Sequence, residues 1–215
     1  MSRDWQAICE AEVARVWSLS PADGAHDLGH LRRVWSNCQR IALGEGGADL
    51  SVLLPAAILH DIVNLPKTSP DRARASRMSA DHAAAFLAAA GYPPKRIPAV
   101  AHAIAAHSFS AGIAPETLEA RILQDADRIE ALGAIGLARM FHVAGATGRA
   151  LFHDTDPMAR HRPLDDGRFA LDHIETKLLR LPDLMQTRAG RQLAEDRADV
   201  LRAFRSMLLA EIGTD

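Results

Sequence analysis

The stretch LSVLLPAAILHDIV, residues 50–63, decides the reading of this chain. It is apolar almost throughout, without the alternation of a half-buried strand, and it ends on His60-Asp61. That pattern predicts a buried helix that starts after Asp49 or Ser51 and runs through Val63, with Pro55 near its first turn. Its longest apolar run, Val52 to His60, falls far short of a membrane span. Outward from it, nearly every segment has helical period. One helix is expected over 4–17, and a second from an Asp27 N-cap to the break at Gly44-Glu45-Gly46-Gly47. A long alanine-rich helix covers 71–90 and ends at Gly91, and another covers about 97–106. A single long helix starts at Pro115-Glu116 and runs through ILQDADRIEALGAIGLARMFHVAG. Residues 147–168 have no clear period and read as a loop or lid. Two more helices, about 169–181 and 187–212, follow. The expected fold is an all-α, single-domain helical bundle over 1–215, with core site helices at about 27–146 and C-terminal helices at about 169–212.

The composition fits that reading. The chain has 215 residues, 48% hydrophobic and 24% charged, the mix of a globular domain able to bury its own core. A net charge of −2 excludes a broadly basic, nucleic-acid-binding surface. Cys9 and Cys38 form no CxxC pair and read as buried thiols in a reducing compartment. The N-terminus lacks the apolar run of a signal peptide, so a cytoplasmic location is expected, with no membrane contact.

The ten histidines hold the functional question. His-Asp occurs three times, at 26–27, 60–61 and 153–154. Only His60-Asp61 ends an apolar helix, where burial is expected. A buried carboxylate beside an imidazole is costly unless compensated, and a divalent cation compensates by taking both as ligands. His30, at the edge of an apolar helix face, and Asp127, among Ile122, Leu123, Ile129 and Leu132, offer further ligands. Three helices can bring His30, His60, Asp61 and Asp127 to one point.

HLRRV, AAILHDIV and DADRIEA together resemble the HD-domain superfamily of metal-dependent phosphohydrolases. HDIVNLPKTSPDRARASRMSA, IAAHSFS and the stretch LDHIETKLLRLPDLMQTRAGRQLAEDRADVLRAF extend the resemblance to a group of small, stand-alone bacterial HD hydrolases. The resemblance implies His30, His60, Asp61 and Asp127 as metal ligands, with Mn, Mg, Co, Ni or Fe as the ion. Asp125 and Asp127 lie on faces roughly 200° apart, so one is a ligand unless the helix is distorted. The family's Ala-Asp-Arg pattern favours Asp127 and leaves Asp125 solvated or behind the ligands. Some members carry two more histidines and bind a second metal; here His82 and His107 fit those positions, and His102 points away. Lys67, Arg72 and Ser76 are the expected phosphate contacts, against the plainer reading of a solvated polar loop.

The implied chemistry is hydrolysis of a phosphate ester or anhydride, in a nucleotide, by metal-activated water. The resemblance does not separate nucleotidase, nucleotide pyrophosphatase and phosphodiesterase. Asp61, His107 or Glu130 would take the water's proton. Two other readings stand beside it. A non-catalytic nucleotide sensor would have little need of all four ligands. A di-iron HD oxygenase would require both extra histidines as ligands.

Overall fold

The computed structural model describes residues 3–19, 27–65 and 71–213. It forms two compact units, Met1–Asp127 and Arg128–Asp215. Among the described residues there is no strand; the one β-type contact is an isolated bridge from Ala150 to Phe169.

The first unit is built around the apolar stretch that ends on His60-Asp61. Helix α3 (Leu50–Leu59) packs against α1 (Trp5–Trp17), α2 (Leu28–Glu45), α4 (Ala75–Ala89) and α5 (Ile97–His107). A helix that touches neighbours on all sides must be apolar all round, and Val52, Leu53 and Pro55 through Leu59 are all buried. Asp caps start three of these helices. Asp4, Asp27 and Asp49 accept from the backbone N–H groups of Ala7, His30 and Ser51. Helix α6 (Leu118–Ile129) is tied in by polar side chains: Asn37 Nδ2 donates to the Ala126 carbonyl, and Gln124 Nε2 to the Ala106 carbonyl. Cys9 and Cys38 are free, buried thiols. Burial pushes the Cys9 thiol up to about 12, so it is inert rather than nucleophilic.

Several expectations about elements need correction. Pro55 lies inside α3, beyond its first turn. Proline has no N–H to give the Ser51 carbonyl one turn back, and the Tyr92 hydroxyl donates to that carbonyl instead. The same helix stops at Leu59, not Val63, so His60 and Asp61 stand in the turn after it. The helix expected over 71–90 begins as a 3-10 turn, Arg72–Arg74, before α4. The single long helix expected from Pro115-Glu116 through 145 starts at Leu118 and is two, because the chain breaks at 130–132 and restarts as α7 (Gly133–Ala146). Gly133 has φ +69°, a left-handed conformation that no continuing helix contains.

In the second unit α7 packs against α9 (Arg188–Ile212), which Thr187 caps through the Gly190 N–H. The helix expected over 169–181 resolves into a short α8 (Asp172–Thr176) and a 3-10 turn at Leu178–Arg180, with another at Pro182–Leu184. Residues 147–168 are irregular, as expected, yet well braced. The Arg162 guanidinium grips the buried Asp172 carboxylate at 2.6 and 2.8 Å, and Asp156 accepts from the backbone N–H groups of Arg160 and His161. No single described helix is long and apolar enough to cross a membrane.

Candidate metal centre

Two histidines of the first unit sit where helices end, and each uses that position in the same way. The last carbonyls of a helix have no intrahelical partner. His60 Nδ1 stands 2.8 Å from the Ala57 carbonyl, and His107 Nδ1 stands 2.6 Å from that of Ile104. A carbonyl only accepts, so both Nδ1 atoms carry the proton. The neutral ring then presents the lone pair of Nε2, as a metal ligand must.

Those lone pairs converge with two carboxylates. His30 Nε2 lies 3.4 Å from Asp127 Oδ1, and His60 Nε2 lies 3.7 Å from the same oxygen. On its other side His60 Nε2 is 3.6 Å from Asp61 Oδ2, while His107 Nε2 is 3.5 Å from Asp61 Oδ1. The two carboxylates thus alternate with three imidazoles. Donors about 2.1 Å from one cation stand roughly 3.0–4.2 Å apart, the range found here. Ligand atoms of His30, His60 and Asp61, and of His60, His107 and Asp127, form two overlapping sets within 4.8 Å. His30 and His60 are 1% and 0% exposed, whereas the Asp61 and Asp127 side chains are 24% and 30% exposed, so the carboxylates face the opening. Among the described residues His60 Nε2 is buried without a hydrogen-bond partner, a cost that a bound cation removes.

Charge in the cluster is balanced between the two residue types. Burial pushes the Asp127 carboxyl up, but His30 and His60 outweigh it and hold it well below the usual range. Asp61 is likewise held low by His60 and His107 against its burial. Burial lowers the His107 imidazole, yet Asp61 and Asp127 raise it overall.

The backbone around His60-Asp61 is fixed from three directions. The Trp17 indole N–H donates to the Ile62 carbonyl, the Val63 N–H donates to Ser79 Oγ, and the Ile62 N–H closes the turn on Leu59.

The remaining expected residues fall in different places. His82 does not join the cluster: its Nε2 pairs with Glu12 at 2.8 Å, which tells against the di-iron reading. Glu130 belongs to the second unit, where it is buried against Arg197 at 3.4 Å. Asp125 is fully buried rather than solvated. His102 Nε2 accepts from the Glu116 N–H. Arg72 and Ser76 line a cleft together with Asp61 and His107, while Lys67 lies outside the described residues. Asn64, Ser108 and Ser110 line the same cleft; their loops, 64–76 and 108–118, are expected to shape the pocket, but no motif singles out these residues within them.

An all-helical unit that gathers His, His-Asp and Asp at one point defines the class of HD-type hydrolases. Comparison with known proteins agrees. The HD domain family model matches residues 27–132. The YpgQ protein of Bacillus subtilis is 32% identical over 210 residues, 94% of each chain. Its structure in complex with ADP superposes with a TM-score of 0.71, over 96% of this chain and 98% of that one. An HD-superfamily hydrolase from Bacillus thuringiensis, 29% identical, gives a TM-score of 0.76 over 98% and 97%. A Lactobacillus plantarum protein, 27% identical, gives 0.68 over the full length of both chains. The chain belongs to the HD-domain hydrolase family.

Proposed function

We propose that this protein is a divalent-metal-dependent phosphohydrolase acting on a nucleotide or related phosphate ester or anhydride. The observation that carries the reading is the convergence of His30, His60, Asp61 and Asp127, with the ADP complex of YpgQ pointing to nucleotides. In this reading those four residues hold the cation. When bound, the cation would supply Lewis acidity toward a phosphoryl oxygen and would ease loss of a proton from water near neutral pH. His107 Nε2 takes the water's proton, because its Nδ1 proton is committed to Ile104 and Asp61 steadies the resulting imidazolium. Arg72, on the cleft wall, offsets negative charge on the phosphates of the substrate.

The test uses the full chain, stripped with chelator and reloaded with Mn²⁺, Co²⁺, Ni²⁺ or Mg²⁺, against a panel of nucleotides and p-nitrophenyl phosphate. Turnover should need the metal and fall at least about a hundredfold in His60→Ala/Asp61→Ala. No turnover with any metal, or unchanged turnover in the double variant, overturns the reading.

A further inference from the structure

The cleft beside the metal cluster has a wall that the expected ligands leave unused. It is lined by Asp61, Arg72, Ser76, His107, Ser108 and Ser110, among others. At its inner end stand two members of the cluster. Its outer part is made by two 3-10 turns that pack on one another, Arg72–Arg74 and Phe109–Ala111.

The second turn follows directly from His107. Ser108 has ψ 127°, so the chain leaves α5 extended, and Gly112, at φ +63°, closes the turn in a left-handed conformation. This brings two hydroxyls together: Ser108 Oγ and Ser110 Oγ are 2.9 Å apart. One donates to the other, which leaves the pair with a hydroxyl hydrogen still to give, polarised by the bond it already accepts. Arg72, in the first turn, uses one N–H on the Leu65 carbonyl at 2.6 Å. That bond orients the guanidinium, and among the described residues its other N–H groups are left for a ligand. Ser76, on the same lining, behaves differently: its hydroxyl hydrogen is already given to the Ala105 carbonyl at 3.1 Å, which braces the start of α4 against α5.

A fixed guanidinium and a hydroxyl pair on one cleft, next to carboxylates engaged with imidazoles, match the acceptor oxygens of a phosphoryl group. Resting on the reading of the cluster as a phosphohydrolase centre, we propose that Ser108 and Ser110, with Arg72, bind a second phosphoryl group, the neighbour of the one at the cation. Ser108 and Ser110 are then specificity-determining residues that favour substrates with two linked phosphates over those with one.

Calorimetric titration of the Mn²⁺-loaded full chain with imidodiphosphate tests this, since the probe offers two phosphoryl groups through a bridge that resists hydrolysis. Ser108→Ala/Ser110→Ala and Arg72→Met should each raise Kd about tenfold or more. Ser108→Thr/Ser110→Thr, which keeps both hydroxyls, should stay within about threefold of the parent. Thermal melts of each variant check that the fold is intact. A double alanine variant that binds within threefold of the parent, or a parent that does not bind the probe, overturns the proposal. The two readings fail separately. If the alanine variants lose the probe while the parent hydrolyses nothing, the subsite stands and the hydrolase reading falls. If the parent turns over substrate while the alanine variants bind the probe unchanged, the hydrolase reading stands and the subsite falls.

Discussion

His60 and His107 reach the cluster from different helices, yet each commits its Nδ1 proton to a carbonyl three residues back. Backbone at a helix end thereby sets the tautomer of a side chain, and no motif in the sequence records that. A residue elsewhere carries strain. Ala159 is the one described non-glycine residue with positive φ, +51°, and it sits inside the braced loop after α7. A side chain in that region costs about 1 kcal/mol or more, so Ala159→Gly should raise unfolding stability by about 1 kcal/mol in urea titrations. An unchanged or lower midpoint would count against strain there. Other single residues were legible in advance to different degrees. The choice of Asp127 over Asp125 came from a family pattern, and the structure places Asp127 beside His30 and His60. The position of His82 was not legible, because its partner Glu12 lies 70 residues away on another helix and spacing carries no such information.

At the scale of elements, α2 shows how a cap serves the centre. Asp27 accepts from the His30 N–H at 2.7 Å, so the cap and the ligand share the first turn of one helix. Asp27→Ala should cost about 1 kcal/mol of stability and weaken Mn²⁺ binding, read by calorimetry. Lost stability with unaltered Mn²⁺ affinity would show that the first turn does not position the ligand. The starts of α1, α2 and α3 were legible because an aspartate cap and an apolar period announce them. Helix ends were less so. The apolar run continues through His60-Asp61-Ile62-Val63, and the helical period runs unbroken through Glu130-Ala131-Leu132. After α3 the 62–63 backbone is held by tertiary bonds from Ser79 and Trp17, whereas α6 is parted from α7 by a local feature, the left-handed Gly133.

Across the whole molecule, a cation that binds the folded chain stabilises it by mass action. Mn²⁺ at a hundred times its Kd should add about 2.7 kcal/mol and raise Tm over the chelator-treated protein. The same Tm with and without Mn²⁺ would argue against a site built from these residues. Stability should also depend on pH away from the centre. Arg32 holds the Glu10 carboxyl below its ordinary 4.5, and Arg15, with His82, does the same for Glu12. These carboxyls have lower pKa values folded than unfolded. Their contribution is therefore complete above the unfolded value of 4.5 and is lost as pH falls through the lower folded values. Glu12→Gln should flatten part of that acid slope in denaturation curves taken between about pH 5 and 2. An identical slope in the variant would remove Glu12 from the account. Family and fold class were legible from the four ligand positions; the division of the chain at Asp127 was not, because no linker composition marks it.

The tyrosine that answers Pro55 gives the molecule a built-in optical probe. Tyr92 is the only tyrosine in the chain, and its hydroxyl is bound to the helix that leads into His60-Asp61. Burial raises its ionisation above the ordinary 10.0. An ultraviolet titration at alkaline pH is then a single-site curve, with no other phenol to deconvolute. Its midpoint should lie above 10.0 while α3 is intact and return toward that value when the helix loosens. A midpoint at the ordinary value in the native chain would mean that the Tyr92 phenol is not held buried in solution. With that curve, the state of the helix that carries the chemistry can be followed by absorbance alone.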